Sequence, residues 1–104
     1  MKIYISGPIT GIDEYESLRA FNDAADKLAR AGLTPVNPRR ISGWGLTWET
    51  YMQIAQTILY SGEIDAVLML KGWEKSKGAT IEKTWAEANG IQIIYQPRTE
   101  EVKA

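Results

Sequence analysis

The sequence contains no cysteine and no histidine among its 104 residues. Disulfide bonds and metal sites that use thiolate or imidazole ligands are therefore excluded, as are a cysteine nucleophile and a Ser–His–Asp triad. A catalytic acid, base or nucleophile in this chain has to come from aspartate, glutamate, lysine or tyrosine. We expect the protein to use neither a metal nor a cofactor.

The sequence also lacks an excess of positive or negative charge, and it has no long apolar run. Twelve basic and 13 acidic residues give a net charge of −1, which provides no basic footprint for a nucleic acid polymer. No apolar run approaches the length that crosses a bilayer, and the apolar start at Lys2–Ser6 is too short for a signal peptide. We therefore expect a cytoplasmic protein that binds neither a nucleic acid polymer nor a membrane.

The length and apolar content predict one small packed domain. A chain of this size forms a single domain, and 44% hydrophobic residues are enough for a core. A core of this size has little surplus burial, so a homo-oligomer would gain additional stability. We assign the domain to residues 1–96 and a polar tail to residues 97–104.

The apolar pattern predicts strands and helices in strict alternation. Strands are expected at residues 2–6, 33–37, 64–70 and 91–95, and helices from 13 to 31, from 47 to about 62 and from 78 to 89. Residues 39–46 are expected to form a loop. One crossover between successive strands predicts a parallel sheet covered on both faces, whose ligands bind beyond the carboxyl ends of the strands.

Two segments at that edge of the sheet could bind a ligand. The first follows strand one and consists of Ser6, Gly7, Pro8, Ile9, Thr10 and Gly11. Its glycines allow a close backbone approach and its hydroxyls could bind a sugar or a phosphate, but the pattern is neither a Walker loop nor a GxGxxG fingerprint. A tight strand-to-helix turn explains the same residues.

The second segment follows strand three and opens the third helix. Ser76 and Gly78 stand at the helix start, where free N–H groups and the helix dipole favour anions. Glu82 lies about one turn further, and the dipole would favour the ionised form that a nucleophile needs. The alternative interpretation is that Glu82 simply suits the start of a helix and faces water.

Aromatic and basic residues near these loops have two interpretations. Trp44 and Trp73 lie in loops, where base stacking and packing are both open, whereas Trp48 and Trp85 fit the core faces of their helices. The basic doublet Arg39-Arg40 is expected to be part of a solvated loop, with a phosphate clamp as the alternative interpretation.

Three motifs together resemble the nucleoside 2-deoxyribosyltransferase superfamily, which includes the 2'-deoxynucleoside 5'-phosphate N-hydrolases. They are Ile3-Tyr4-Ile5-Ser6-Gly7-Pro8, Asp65-Ala66-Val67, and Ser76-x-Gly78-x-x-x-Glu82 followed by Ala86. Within the superfamily, the chain is most similar to small phage- and prophage-encoded relatives of unassigned function. The resemblance spans about residues 2 to 95. It implies a flavodoxin-like three-layer α/β/α fold with four or five parallel strands, and a homodimer or higher oligomer with shared pockets.

The resemblance also implies chemistry on the N-glycosidic bond of a nucleoside or nucleotide. Glu82 matches the nucleophile that attacks C1' and forms a glycosyl-enzyme, and Tyr4 matches the tyrosine that orients it. Ser76 matches a phosphate-contacting serine of the nucleotide hydrolases, and the backbone of Gly78 approaches the ligand. Apart from the resemblance, Trp73 is a predicted substrate contact because of its place in the loop after strand three.

Two positions depart from the family pattern. The aspartate that serves the departing base is replaced by Thr57, and a hydroxyl cannot act as a general acid near neutral pH. The phosphate-contacting arginine falls at Thr10, for which Lys75, Lys77 or Arg39 could substitute. The sequence therefore predicts a glycosidase or transferase, and leaves open a non-catalytic module of phage origin that sequesters a nucleotide.

Overall fold

The computed structural model describes residues 1–42 and 45–97. The interpretation of Trp44 and the predicted polar tail from residue 98 onward lie outside these residues. No helix in the described part of the chain is long and apolar enough to cross a membrane.

Strands and helices alternate along the chain as predicted. In order they are β1 (Lys2–Ser6), α1 (Glu14–Arg30), β2 (Thr34–Val36), α2 (Arg39–Ser42), α3 (Trp48–Leu59), β3 (Ala66–Met69), a 3-10 turn at Trp73–Lys75, α4 (Lys77–Ala88) and β4 (Gln92–Tyr95). The prediction of a loop from residue 39 to 46 is wrong at its start, since residues 39–42 form the short helix α2.

The helix starts follow from their capping residues. The side chain of Asp13 accepts a hydrogen bond from the Glu16 amide and so caps α1, and that of Thr47 caps α3 by accepting from the Thr50 amide. A side-chain oxygen at this position satisfies one of the amides that have no carbonyl partner within the helix.

The four strands form one parallel sheet in the order β2-β1-β3-β4. Tyr4 of β1 is in register with Val36 of β2 on one side and with Val67 of β3 on the other. Chain order therefore reverses beside β1, and the loops after β1 and β3 diverge there. Such a reversal is the usual ligand-binding place in an open α/β sheet, and this topology confirms the predicted flavodoxin-like α/β/α fold.

The strands alternate their side chains between two apolar layers. On one face, Tyr4, Val67 and Met69 pack with the buried residues of α3 and α4, and on the other, Ile5 and Leu70 pack with α1. Since Tyr4 and Ser6 are two residues apart on β1, both side chains lie on the face that α4 covers.

Gly7 sets the distance between the end of β1 and the end of β3. A Cβ added to Gly7 would lie 2.8 Å from Cβ of Leu70, a separation that the backbone of two adjacent strands cannot easily relax. Gly7 therefore serves close packing at the edge of the sheet where the candidate ligand loops begin.

We expect Gly7→Ala to lower the free energy of unfolding by about 1–3 kcal/mol, the usual cost of overpacking a core. Urea denaturation of Gly7→Ala, Leu70→Ala and the double variant would measure it. The added methyl group would also lie 3.0 and 3.1 Å from Cδ1 and Cγ of Leu70. Because Leu70→Ala removes these two atoms and keeps Cβ, the double variant should lose somewhat less stability than the sum of the two single variants. Strict additivity would contradict this account of Gly7.

Candidate functional site

A cavity of about 540 Å³ opens at the carboxyl ends of β1 and β3. The loop after β1, the start of α3 and the amino-terminal end of α4 form its walls, and Glu82 lies at its floor. The lining residues are Gly7, Ile9, Thr10, Arg39, Leu46, Thr47, Trp48, Tyr51, Met52, Lys75, Ser76, Lys77, Gly78, Ala79 and Glu82.

Both carboxylate oxygens of Glu82 are held by hydroxyl groups of β1. The Tyr4 hydroxyl donates to Oε2 at 2.5 Å and the Ser6 hydroxyl donates to Oε1 at 2.7 Å. The side chain is only 2% exposed, so the interpretation of Glu82 as a water-facing helix residue is wrong. The structure thus brings Tyr4, Ser6 and Glu82 together, with Glu82 reaching the cavity from below.

Burial controls the charge state of this carboxyl group. Desolvation raises the pKa of Glu82 from its ordinary value of 4.5 to about 7, while the hydrogen bonds from Tyr4 and Ser6 oppose the rise. Desolvation and the charge of Glu82 together raise the pKa of Tyr4 well above 10, so Tyr4 remains a neutral donor. The helix dipole is expected to favour the ionised form of Glu82, but desolvation raises the pKa and so favours the protonated form.

The amino-terminal end of α4 faces the cavity as the sequence predicted. Ser76 caps this helix, its hydroxyl oxygen accepting from the Ala79 amide at 3.2 Å. The next two amides, of Lys77 and Gly78, have no carbonyl partner within a helix. A Cβ on Gly78 would make ordinary van der Waals contacts with Met52 Sδ at 3.4 Å and Trp48 Nε1 at 3.6 Å, so α4 lies beside the cavity wall that α3 forms.

Positive charge is concentrated around the cavity. Arg39, Lys75 and Lys77 all line it, and Glu82 is the acidic residue among the lining residues. The side chain of Arg39 is only 8% exposed, with Nη2 4.0 Å from Oε1 of Glu14. The prediction that Arg39 is a solvated loop residue is therefore wrong, and its neighbour Arg40 is solvent-exposed but lies in α2.

Helix α3 contributes one wall through Trp48, Tyr51 and Met52, which share a helical face at the i, i+3 and i+4 positions. Trp48 was expected in the core, but it is 37% exposed and Lys77 Nζ lies 5.0 Å from its ring centroid. Tyr51 is half-buried, and its pKa is raised by desolvation and by the charge of Glu82. Trp85 packs against the core, as predicted.

Several predicted contact residues lie outside this cavity. Thr57 is exposed and its hydroxyl donates to the Gln53 carbonyl at 2.9 Å. Trp73 packs on Tyr95, with ring centroids 5.8 Å apart. In the loop after β1, Gly7, Ile9 and Thr10 line the cavity whereas Pro8 and Gly11 are beside it.

Among the residues that line the cavity, Tyr51 was not singled out from the sequence, Trp48 was assigned to the core, and Arg39 was named only as a possible substitute phosphate contact. A signal was available for Arg39, because it directly follows β2 and Pro38 at the ligand-binding edge of the sheet. Within the described ranges, no cluster of three or more acidic, cysteine or histidine residues could hold a metal ion.

Comparison with known proteins identifies the family of the chain. A family model described as "Domain of unknown function (DUF4406)" matches residues 1–95, so the chain belongs to this family. No curated protein and no solved structure matches it.

Glu82 should make the protein less stable as the pH rises. Because its pKa is raised from 4.5 to about 7, the folded protein binds more protons than the unfolded chain between these values. This stabilising contribution is complete below about pH 4.5 and is lost as the pH rises through 7, by roughly 3 kcal/mol at most. We expect Glu82→Gln to be more stable than the wild type at pH 8 and to lose that advantage by pH 4.5.

Chemical denaturation of the two proteins at several pH values measures this difference, and other titrating groups cancel in the comparison. Glu87→Gln is the matched control, because Glu87 lies on the exposed side of the same helix and pairs with Lys83 at 3.1 Å. A constant difference between Glu82→Gln and the wild type from pH 4.5 to 8 would contradict the raised pKa.

Proposed function

We propose that this member of the DUF4406 family binds a nucleoside 5'-monophosphate and breaks its N-glycosidic bond, with Glu82 as the nucleophile. The observation that carries the proposal is the buried Glu82 carboxylate, fixed on both oxygens by Tyr4 and Ser6 at the floor of a cavity. A volume of about 540 Å³ lies within the range of pockets that hold small organic ligands.

The geometry of Glu82 suits covalent catalysis. A carboxylate below the sugar can stabilise positive charge at C1' and then bond to it, as in a retaining glycosidase. Tyr4 and Ser6 hold the carboxyl group in one orientation, which lowers the entropic cost of reaching the reactive arrangement. Water then takes the sugar from Glu82 in hydrolysis, or a second base takes it in transfer.

The phosphate fits the amino-terminal end of α4. The amides of Lys77 and Gly78 and the hydroxyl of Ser76 provide donors there, and the helix dipole favours an anion. Thr10 lines the cavity where the nucleotide hydrolases carry an arginine, and the side chains of Lys75 and Lys77 supply positive charge instead. These contacts favour a nucleotide over a nucleoside.

A second candidate function is non-catalytic sequestration of a nucleotide. It is favoured by Thr57, which replaces the acid of the active families and is exposed outside the cavity. Without a proton donor for the departing base, general acid catalysis worth about 10²–10⁴-fold is missing at that position. The two functions share the binding site and differ in whether base is released.

Glu82→Gln should abolish base release while it leaves nucleotide affinity within about threefold of wild type. Glutamine keeps the size of the side chain and can still accept from Tyr4, but its amide oxygen is a poor nucleophile. Incubation with a panel of nucleosides and nucleotides, followed by chromatography for free base, measures the first effect. Calorimetry measures the second, and Glu87→Gln again serves as the control.

The rate of base release should rise with pH through about 7, because only ionised Glu82 attacks C1'. If the wild type binds a nucleotide and releases no base from any member of the panel, sequestration is the correct function. If Glu82→Gln releases base at the wild-type rate, the nucleophile is not Glu82.

The phosphate contact can be tested by changing Ser76 to aspartate. Both residues cap helices well, so Ser76→Asp preserves α4 and places a negative charge where the phosphate binds. We expect a nucleoside 5'-monophosphate to bind at least tenfold more weakly to this variant, with little change for the matching nucleoside. Calorimetry with both ligands measures the effect, and Ser76→Thr is the control that keeps the hydroxyl and the cap. Equal affinity of the wild type for the two ligands would contradict a phosphate site.

A further inference from the structure

Arg39 lines the cavity from the end of β2, whereas the phosphate contacts follow β3, and its charge has no role in the steps described so far. We infer that Arg39 is the catalytic residue that stabilises the departing base as an anion, and so replaces the missing general acid. This inference rests on the proposed function of Glu82 as a glycosyl nucleophile.

The order of the strands is the reason to assign Arg39 to the base end of the proposed nucleotide. Arg39 follows β2, which pairs with one side of β1, whereas the start of α4 follows β3, which pairs with the other side. Glu82 is bonded to two hydroxyls of β1 and lies between them. A nucleotide with C1' above Glu82 and its phosphate at α4 therefore extends its base toward Arg39.

The buried environment of Arg39 strengthens the electrostatic interaction between its guanidinium group and a ligand in the cavity. Its side chain lines the cavity although it is only 8% exposed, and charges withdrawn from water interact more strongly with a ligand. The neighbouring Glu14 carboxylate is 4.0 Å from Nη2 and its side chain is 87% exposed, so solvent screens that pair. Arg39 also lowers the pKa of Tyr51, whereas Glu82 raises it, which places the Tyr51 phenol within electrostatic range of both.

The chemistry requires charge stabilisation without proton transfer. As a carboxylate oxygen of Glu82 bonds to C1', the bond between C1' and the base nitrogen breaks and its electron pair remains on the base. A guanidinium stays protonated in proteins, so Arg39 donates hydrogen bonds to the base anion and keeps its own protons. Water then attacks C1', frees the Glu82 carboxylate and gives its remaining proton to the base. The products are free base and 2-deoxyribose 5-phosphate.

This role predicts that the effect of Arg39 depends on the charge of the leaving base. For ordinary 2'-deoxynucleoside 5'-monophosphates, Arg39→Gln should lower kcat at least 100-fold with KM within about threefold of wild type. For 7-methyl-2'-deoxyguanosine 5'-monophosphate, whose base leaves as a neutral molecule, the loss should be less than about threefold. Arg39→Lys should retain an intermediate kcat, because it keeps the charge and loses the planar donor geometry.

The matched control is Arg40→Gln, because Arg40 is the exposed neighbour of Arg39 in the same short helix and does not line the cavity. It should leave kcat unchanged for both substrates, and thermal melting of all variants verifies that they fold. An equal loss of kcat for the ordinary and the methylated nucleotide in Arg39→Gln would show a structural role. A tenfold rise in KM confined to phosphorylated substrates would show that Arg39 binds the phosphate. Either result overturns the inference.

If the proposed function itself is wrong, the wild type gives a result that differs from both outcomes above. If the wild type releases no base even from the methylated nucleotide, Glu82 is not a glycosyl nucleophile and Arg39 has no leaving group to stabilise. Calorimetry with free hypoxanthine and with 2-deoxyribose 5-phosphate then tests the placement of Arg39 alone. Arg39→Gln should weaken binding of hypoxanthine at least fivefold and leave that of the sugar phosphate unchanged, and the reverse pattern would overturn the placement.

Discussion

The contact between the Glu82 carboxyl group and the two hydroxyls of β1 determines how the rest of the site is arranged. An ionised carboxylate in an apolar layer is costly unless it is hydrogen-bonded, and Tyr4 and Ser6 satisfy both of its oxygens. Hydrogen bonding only partly offsets the desolvation, so the pKa of the carboxyl group is raised to about 7. The proposed chemical role rests on the presence of an acidic residue at 2% exposure, where an apolar residue would avoid this cost.

Because the strand order reverses beside β1, two different segments follow the strands on either side of the Glu82 carboxylate. The end of β3 leads into α4, whose amides and lysines suit an anionic group, and the end of β2 leads into Arg39. Helix α3 covers the cavity from one side with Trp48 and Tyr51. A single small sheet thereby brings positive charge to the cavity from two of its strand ends, and the proposed function assigns the two ends of the nucleotide to them.

The sequence predicts the strand and helix pattern well, because the apolar spacing on each element matches one packing face. Glu82 itself lies on the buried stripe of α4 with Ala79 and Ala86, a spacing of three and four residues that could have predicted its burial. Trp48 follows the same rule as Met52 and Ala55 of α3, but it occupies the first turn of the helix. There the stripe passes beyond the end of the sheet, so the ring lines the cavity instead of the core. Arg39 and Tyr51 depend on how α2 and α3 lie relative to the loop after β1, which is a tertiary property that local spacing does not contain.

The bonds that hold Glu82 also connect the site to the folding of the chain. They join residues 78 and 76 positions apart in the sequence, and such contacts form only after the loop-closure entropy between distant segments has been overcome. Both hydrogen bonds therefore exist only in the packed tertiary structure, and removal of β1 would remove both hydroxyl donors of Glu82.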